Sequence, residues 1–261
     1  MKKLLIGIIA LLVAAMVATA AVGAYLALVV YPALPAVGDL AAYVAPEPLR
    51  IYSADGSLLG EYGIERRISL KLGDMPDVLK LALLAAEDGR FYEHDGVDVP
   101  GMLRAAVANF AAGGKRQGAS TITMQLARNF YLSNEKTYTR KLVEVLLALK
   151  IEAALPKDEI LQLYMNQIYL GRRAYGFGAA AQAYFGTDVR HLTLGQAALL
   201  AGLPKAPSSF NPIANPERAA VRRRYVLGRM LDLHFITPEE FDAALACLLY
   251  TSDAADDTPC V

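Results

Sequence analysis

Val78-Leu79-Lys80-Leu81-Ala82-Leu83-Leu84-Ala85-Ala86-Glu87-Asp88-Gly89-Arg90-Phe91-Tyr92-Glu93-His94-Asp95-Gly96 is an apolar helical stretch that runs out at a group of acids. An acid at the end of such a helix can sit in a cleft with a raised pKa, as a general base requires; an ordinary solvated helix end has the same pattern. Around this stretch, from Pro76 onward, the chain is rich in Ala and Leu and carries helix start signals at Asn215-Pro216 and Thr237-Pro238-Glu239-Glu240. The second is a capping box with Pro at the first helical position. Helices are predicted over 76–88, 99–112, 120–131, 137–154, 157–168, 193–203, 216–233 and 238–246. The body is therefore mainly α, with no internal repeat or low-complexity tract.

Upstream of the helices, Leu49–Ser53 and Leu58–Tyr62 flank Asp55-Gly56, a hairpin turn signal between two short strands. Before them, Tyr31–Pro48 holds four prolines and reads as a linker over 32–48. Earlier still, after Lys2 and Lys3, no charge appears until Asp39, and Leu4–Val30 is almost entirely apolar. A bilayer needs about 20 such residues, so 1–31 is predicted to be a cytoplasmic tip and a transmembrane helix. The two lysines place that end inside, which puts everything after Tyr31 outside. A cleaved signal peptide would have a shorter apolar core than this one, although Ala18-Thr19-Ala20 resembles a cleavage site.

The chain has 261 residues, 55% of them apolar and 20% charged, enough for a real core in one main domain predicted over 49–246. Its formal charge is zero, and the last stretch carries Asp253, Asp256 and Asp257 without Lys or Arg. The remainder is only slightly basic, which argues against a nucleic-acid partner. Both cysteines, Cys247 and Cys260, also fall in 247–261, so the exported body depends on packing alone. That tail continues no helical face, starts no further domain, and reads as an atypical, foreign end.

Two further clusters carry chemistry. Gly118-Ala119-Ser120-Thr121-Ile122-Thr123-Met124-Gln125-Leu126-Ala127-Arg128-Asn129 is a hydroxyl-rich helix entry in which Ser120 or Thr121 suits a cap. Gln125 and Arg128 share one helical face, and an amide beside a guanidinium suits sugar and phosphate oxygens. In Lys136-Thr137-Tyr138-Thr139-Arg140-Lys141-Leu142-Val143-Glu144, Arg140 and Glu144 lie one turn apart, as a surface ion pair also would. Arg128, Lys136, Arg140 and Lys141 gather around that one acid, a grouping that suits a pyrophosphate leaving group.

These segments resemble, in order, the motifs of the family 51 glycosyltransferases: Glu-Asp-x-x-Phe-x-x-His-x-Gly at 87–96, Gly-x-Ser-Thr-Ile-Thr-x-Gln-Leu-x-x-Asn at 118–129 and Arg-Lys-x-x-Glu at 140–144. Lys157-x-x-Ile160-Leu161-x-x-Tyr164-x-Asn166 is similar to the fourth motif, and Arg223-Arg224-x-x-Leu227 to the fifth. The likeness spans about 48–246 and takes in Tyr169-Leu170-Gly171 and Ala201-Gly202-Leu203-Pro204-Lys205-Ala206-Pro207. Met124 stands where the pattern often has Gln, and Arg128 where Lys is usual; arginine keeps the charge that phosphate binding needs. The hairpin and Glu65-Arg66-Arg67 look like the bifunctional class A penicillin-binding proteins, cut before their transpeptidase domain.

The resemblance implies a lysozyme-like helical glycosyltransferase domain with a smaller membrane-touching jaw and a small β hairpin near the transmembrane helix. It implies polymerisation of lipid II into β-1,4-linked glycan, with release of undecaprenyl pyrophosphate, in peptidoglycan and cell wall synthesis at the outer side of the bacterial inner membrane. By carry-over, Glu87 is the base that deprotonates the acceptor 4-hydroxyl, and Arg128, Lys136, Arg140 and Lys141 meet the leaving group's charge. Glu144 orients those cations or holds a divalent metal, Mg or Mn; no nucleotide or organic cofactor is implied. Asp88, His94, Ser120, Thr121 and Gln125 complete the implied substrate-binding set, with Asp88 and His94 equally suited to fixing the loop. Lys157, Tyr164 and Asn166 brace the cleft, and Arg222-Arg223-Arg224 reads as a solvated face that can meet anionic headgroups. Implied partners are lipid II, the growing lipid-linked glycan, the membrane and other wall-building proteins.

Ser133-Asn134-Glu135-Lys136 fits a Ser-x-x-Lys nucleophile pattern, but no Ser-x-Asn or Lys-Thr-Gly partner follows it, so no transpeptidase chemistry is expected. Two other readings compete with synthesis. A lytic glycosidase also uses a Glu after a helix, yet has no use for cations beside it. An inactive membrane-anchored scaffold would have no need of both Glu87 and Glu144.

Overall fold

A computed structural model describes residues 2–40, 48–56, 58–63, 65–111, 113–114, 118, 120–132 and 138–247. The apolar N-terminus forms helix α1 (Lys2–Tyr25), continued by a π-helical turn, Leu26–Val30. Its Ile6–Val30 portion has a mean hydropathy of 2.5 and none of it is buried against the rest of the chain. At about 1.5 Å per residue, a helix of this length matches the hydrocarbon thickness of a bilayer.

The segment after α1 differs from a free linker. Leu34, Val37 and Leu40 are buried in the main core. Lys150 Nζ donates to the Leu34 carbonyl at 3.0 Å, and the Tyr131 hydroxyl to that of Ala36 at 3.3 Å. Proline spacing marks a break in helix but is silent on docking, and these three apolar residues supply it. Residues 41–47 of the predicted linker lie outside the described residues.

Strands β1 (Leu49–Tyr52) and β2 (Leu58–Tyr62) form the expected antiparallel hairpin, Leu49 opposite Tyr62, with Gly56 in its turn at φ 87°. The body consists of helices α2 (Asp77–Glu87), α3 (Val99–Ala111), α4 (Ile122–Tyr131), α5 (Tyr138–Glu152), α6 (Lys157–Gln167), α7 (Phe177–Phe185), α8 (Leu194–Gly202), α9 (Pro216–Asp232) and α10 (Pro238–Ala246). All the predicted helices form, with ends moved by a few residues at most. The fold is mainly α, as expected.

Helix α2 is central because its apolar residues recur at helical spacing: Leu79, Ala82, Leu83, Leu84 and Ala85 are buried. They pack on α8 and α9. Each fully buried leucine contributes about 1.5–3 kcal/mol of hydrophobic stabilisation. On the other side α4 packs against α5 and α6. The two groups meet where α2 ends.

One helix and one pair of strands lie outside the predicted elements. Helix α7 buries Phe177, Gly178, Ala179, Ala180, Ala181, Ala183 and Tyr184 and exposes the lone polar residue Gln182, too little for an amphipathic period. Gly186, left-handed at φ 64°, ends it. Strand β3 (Arg66–Arg67) pairs in parallel with β4 (Ala174–Tyr175), a match two residues long that leaves no pattern to read.

Helix α3 does the opposite of burying its apolar residues. Val99, Leu103, Val107 and Phe110 follow one another at near-helical spacing, and all are exposed, Phe110 to 92%. This stripe faces away from the core.

Candidate active site

Helix α2 stops at Glu87 because Asp88 leaves helical geometry, at φ −159°. That stop puts the Glu87 carboxylate, only 12% exposed, between α4 and α9. Gln125 Nε2, from α4, donates to Oε2 at 2.8 Å. Arg222 Nη2, from α9, donates to Oε1 at 3.3 Å. The Gln125 amide cannot rotate freely, since the buried Tyr164 hydroxyl donates to its Oε1 at 2.9 Å. Burial also pushes the Tyr164 pKa well above its usual value, so it remains a neutral donor.

Burial is the largest influence on Glu87 and raises its pKa. The bond from Gln125 and the charges of Arg222, Lys205 and Arg128 pull it back, without cancelling the rise. A carboxylate that is destabilised by desolvation, yet held in one orientation, is a stronger base than a solvated one. This is the property asked of Glu87 on its sequence position.

A second charged group lies on α5. Glu144 is 1% exposed and accepts from Arg140 Nη1 at 2.5 Å and from Lys141 Nζ at 3.1 Å. The same Lys141 Nζ donates to Ser120 Oγ at 2.8 Å, linking α5 to the entry of α4. A buried carboxylate holding two partly exposed cations fixes their positions. Arg128 lies on α4 near enough to act electrostatically on both Glu87 and Tyr164. Lys136 lies outside the described residues.

Both oxygens of Glu144 are thus engaged by cations. Among the described residues no group of three or more His, Cys, Asp or Glu side chains gathers to hold a metal ion. One carboxylate flanked by an arginine and a lysine does not make a divalent-cation cage.

The other site candidates bind the fold together. Asp88 Oδ2 accepts from the Ile122 amide at 3.1 Å, at the start of α4, and its carboxylate faces His94 Nε2 at 3.1 Å. Thr121 caps α4 by accepting from the Met124 amide at 3.2 Å, and its hydroxyl donates to the Gly96 carbonyl at 2.6 Å. Lys157 bridges the His94 carbonyl at 2.5 Å and Glu152 at 2.8 Å. Asn166 exchanges two bonds with the Leu70 backbone, at 3.0 and 2.8 Å. Asp88, Thr121 and His94 therefore set the position of α4, and through it Gln125 and Arg128.

Arg222 corrects the reading of its basic run as a solvated face. Its exposure is 6%, while Val221 beside it is 70% exposed. A signal was present: Ala219, Arg222, Val226 and Met230 recur at spacings of three and four, so Arg222 falls on the buried face of α9. An arginine on an apolar face needs a partner, and here the partner is Glu87. Lys205, whose charge also reaches Glu87, was read only as part of a structural stretch.

Residues 55–231 match the protein family described as Transglycosylase. Penicillin-binding protein 1A of Neisseria cinerea is 60% identical over 218 residues, which cover 84% of this chain and 27% of that protein. Penicillin-binding protein 1A of Vibrio cholerae is 56% identical over 213 residues, covering 82% and 26% respectively. The chain thus spans about a quarter of the length of these curated relatives. The crystal structure of penicillin-binding protein 1A from Haemophilus influenzae shares 34% identity over 80% of this chain and 22% of that one, at a TM-score of 0.47.

Proposed function

We propose, from the premise that this chain belongs to the transglycosylase family, that it is a peptidoglycan glycosyltransferase that polymerises lipid II into β-1,4-linked glycan. The observation that carries this reading is Glu87, an oriented carboxylate with a burial-raised pKa, in the same helical body as a cation cluster. Glu87 accepts the proton of the acceptor's 4-hydroxyl as that oxygen bonds to the donor's anomeric carbon. The anomeric carbon's bond to the pyrophosphate oxygen breaks, its electron pair leaves with undecaprenyl pyrophosphate, and the centre inverts. Glu87 then returns its proton to solvent.

Negative charge grows on the departing pyrophosphate, and cations already in place stabilise it without having to reorganise. Arg140 and Lys141, held by Glu144, fit this role, as does Arg128. Ser120 steadies Lys141 from the α4 side. Gln125 orients the base, and Asp88, His94 and Thr121 hold the helix that carries Gln125.

The body lies at the outer face of the bacterial inner membrane in this reading, tied to it by α1. The exposed apolar stripe of α3 gives a second membrane contact, which suits substrates that are themselves anchored by a lipid. A lytic glycosidase would also use a helix-end Glu. The test gives the chain labelled lipid II in one reaction and preformed glycan in another. Glycan built from lipid II supports the proposal; shortening of preformed glycan, with no growth from lipid II, overturns it in favour of lysis.

A further inference from the structure

Arg222 does more than fill a gap in the core. Its Nε donates to the Gly202 carbonyl at 3.1 Å, at the C-terminal end of α8, where the helix dipole favours a cation. Its guanidinium lies 4.6 Å from the Tyr225 ring centre and 5.8 Å from that of Phe210. The stem passes so close to Gly202 that a Cβ there would stand 2.7 Å from Arg222 Cγ. A planar cation fixed by a carbonyl and two aromatic rings aims its remaining N–H at Glu87 Oε1, 3.3 Å away. Among the described residues Glu87 is the one carboxylate seen to pair with it.

We infer that Arg222 is the positioning residue of the base, clamping one Glu87 oxygen from α9 while Gln125 clamps the other from α4. The inference rests on the reading of Glu87 as the base. Two oxygens each held by one donor leave the carboxylate plane fixed and two acceptor sites open, one of which can take the acceptor hydroxyl. A guanidinium keeps its charge at every working pH, so it also favours the ionised carboxylate against burial. The other charged or titratable groups facing Glu87 are Arg128 on α4, Lys205 in the turn after α8, and the neutral Tyr164 on α6, with Asp88 next to it on the chain. Arg222 is the cation in direct contact, and of the three it acts on Glu87 most strongly.

The test measures lipid II polymerisation by the full chain in detergent, across pH, for the parent, Arg222→Lys and Arg222→Gln. The expected result is a fall of about tenfold in kcat at neutral pH for Arg222→Gln, recovered at higher pH as the acid limb moves up, with KM little changed. Arg222→Lys, which keeps the charge, shifts the limb less. A loss equal at every pH, or one confined to KM, overturns the inference, as does an unchanged profile. The ionisation of Glu87 is also followed by infrared difference against Glu87→Gln, which needs no turnover. A carboxyl that titrates at higher pH in Arg222→Gln supports the clamp even if the polymerase reading fails, and an unmoved titration overturns it.

Discussion

The proposed role of Glu87 rests on its being the last residue of an apolar helix, where burial disfavours its charge but does not deny it donors. Because the base must be ionised to accept a proton, polymerisation should fail as pH drops through the raised pKa of Glu87. The acid limb of a pH–rate profile is therefore expected above the ordinary carboxylate range; a limb within that range would place the base in a solvated setting. Glu144 is the counterpart on α5. Removing it in Glu144→Ala leaves Arg140 and Lys141 without their shared anion, and a loss of about 3 kcal/mol in chemical denaturation is expected. The motifs single out both glutamates, and the structure places each of them against cations. Arg222 is harder to place, because three adjacent arginines suggest a wet surface and only the helical register of α9 separates the first from its neighbours.

At the scale of elements, α4 carries the site and its entry holds α4 in place. Thr121→Val removes the bonds to the Met124 amide and the Gly96 carbonyl, and should lower stability by about 1–2 kcal/mol together with activity. The capping box of α10 is a control of the same chemistry placed elsewhere: Thr237 and Glu240 bond each other's amides at 3.2 and 2.8 Å. Thr237→Ala should cost about 1 kcal/mol by thermal or chemical denaturation and leave the polymerisation rate of the folded protein as it was. The α10 box was legible because its signal is local, four consecutive residues of which one is a proline. Helix α7 was not, since a short helix with a single exposed polar residue, Gln182, has no period to find. The β3–β4 pair joins residues more than a hundred positions apart, and nothing local to either strand announces the other.

Over the whole molecule, one chain combines a membrane-length helix, a docked segment behind it and an exposed apolar stripe on α3. Carbonate-washed membranes should retain the protein, and a form lacking residues 1–30 should need detergent less but still be drawn to vesicles by α3. Phe110→Glu in that shortened form should weaken vesicle binding in a sedimentation assay; unchanged binding would remove α3 from the membrane contact. The apolar N-terminal helix and the helical body were legible from hydropathy and composition. The docking of Leu34, Val37 and Leu40 was not, because three apolar residues among prolines name no surface to meet. The most direct test of the central claim is polymerisation of labelled lipid II by the detergent-purified chain, beside Glu87→Gln, resolved by glycan length. Long glycan from the parent and a rate lower by about 10²–10⁴-fold in the variant is the predicted result; equal glycan from a folded Glu87→Gln would contradict the assignment of the base.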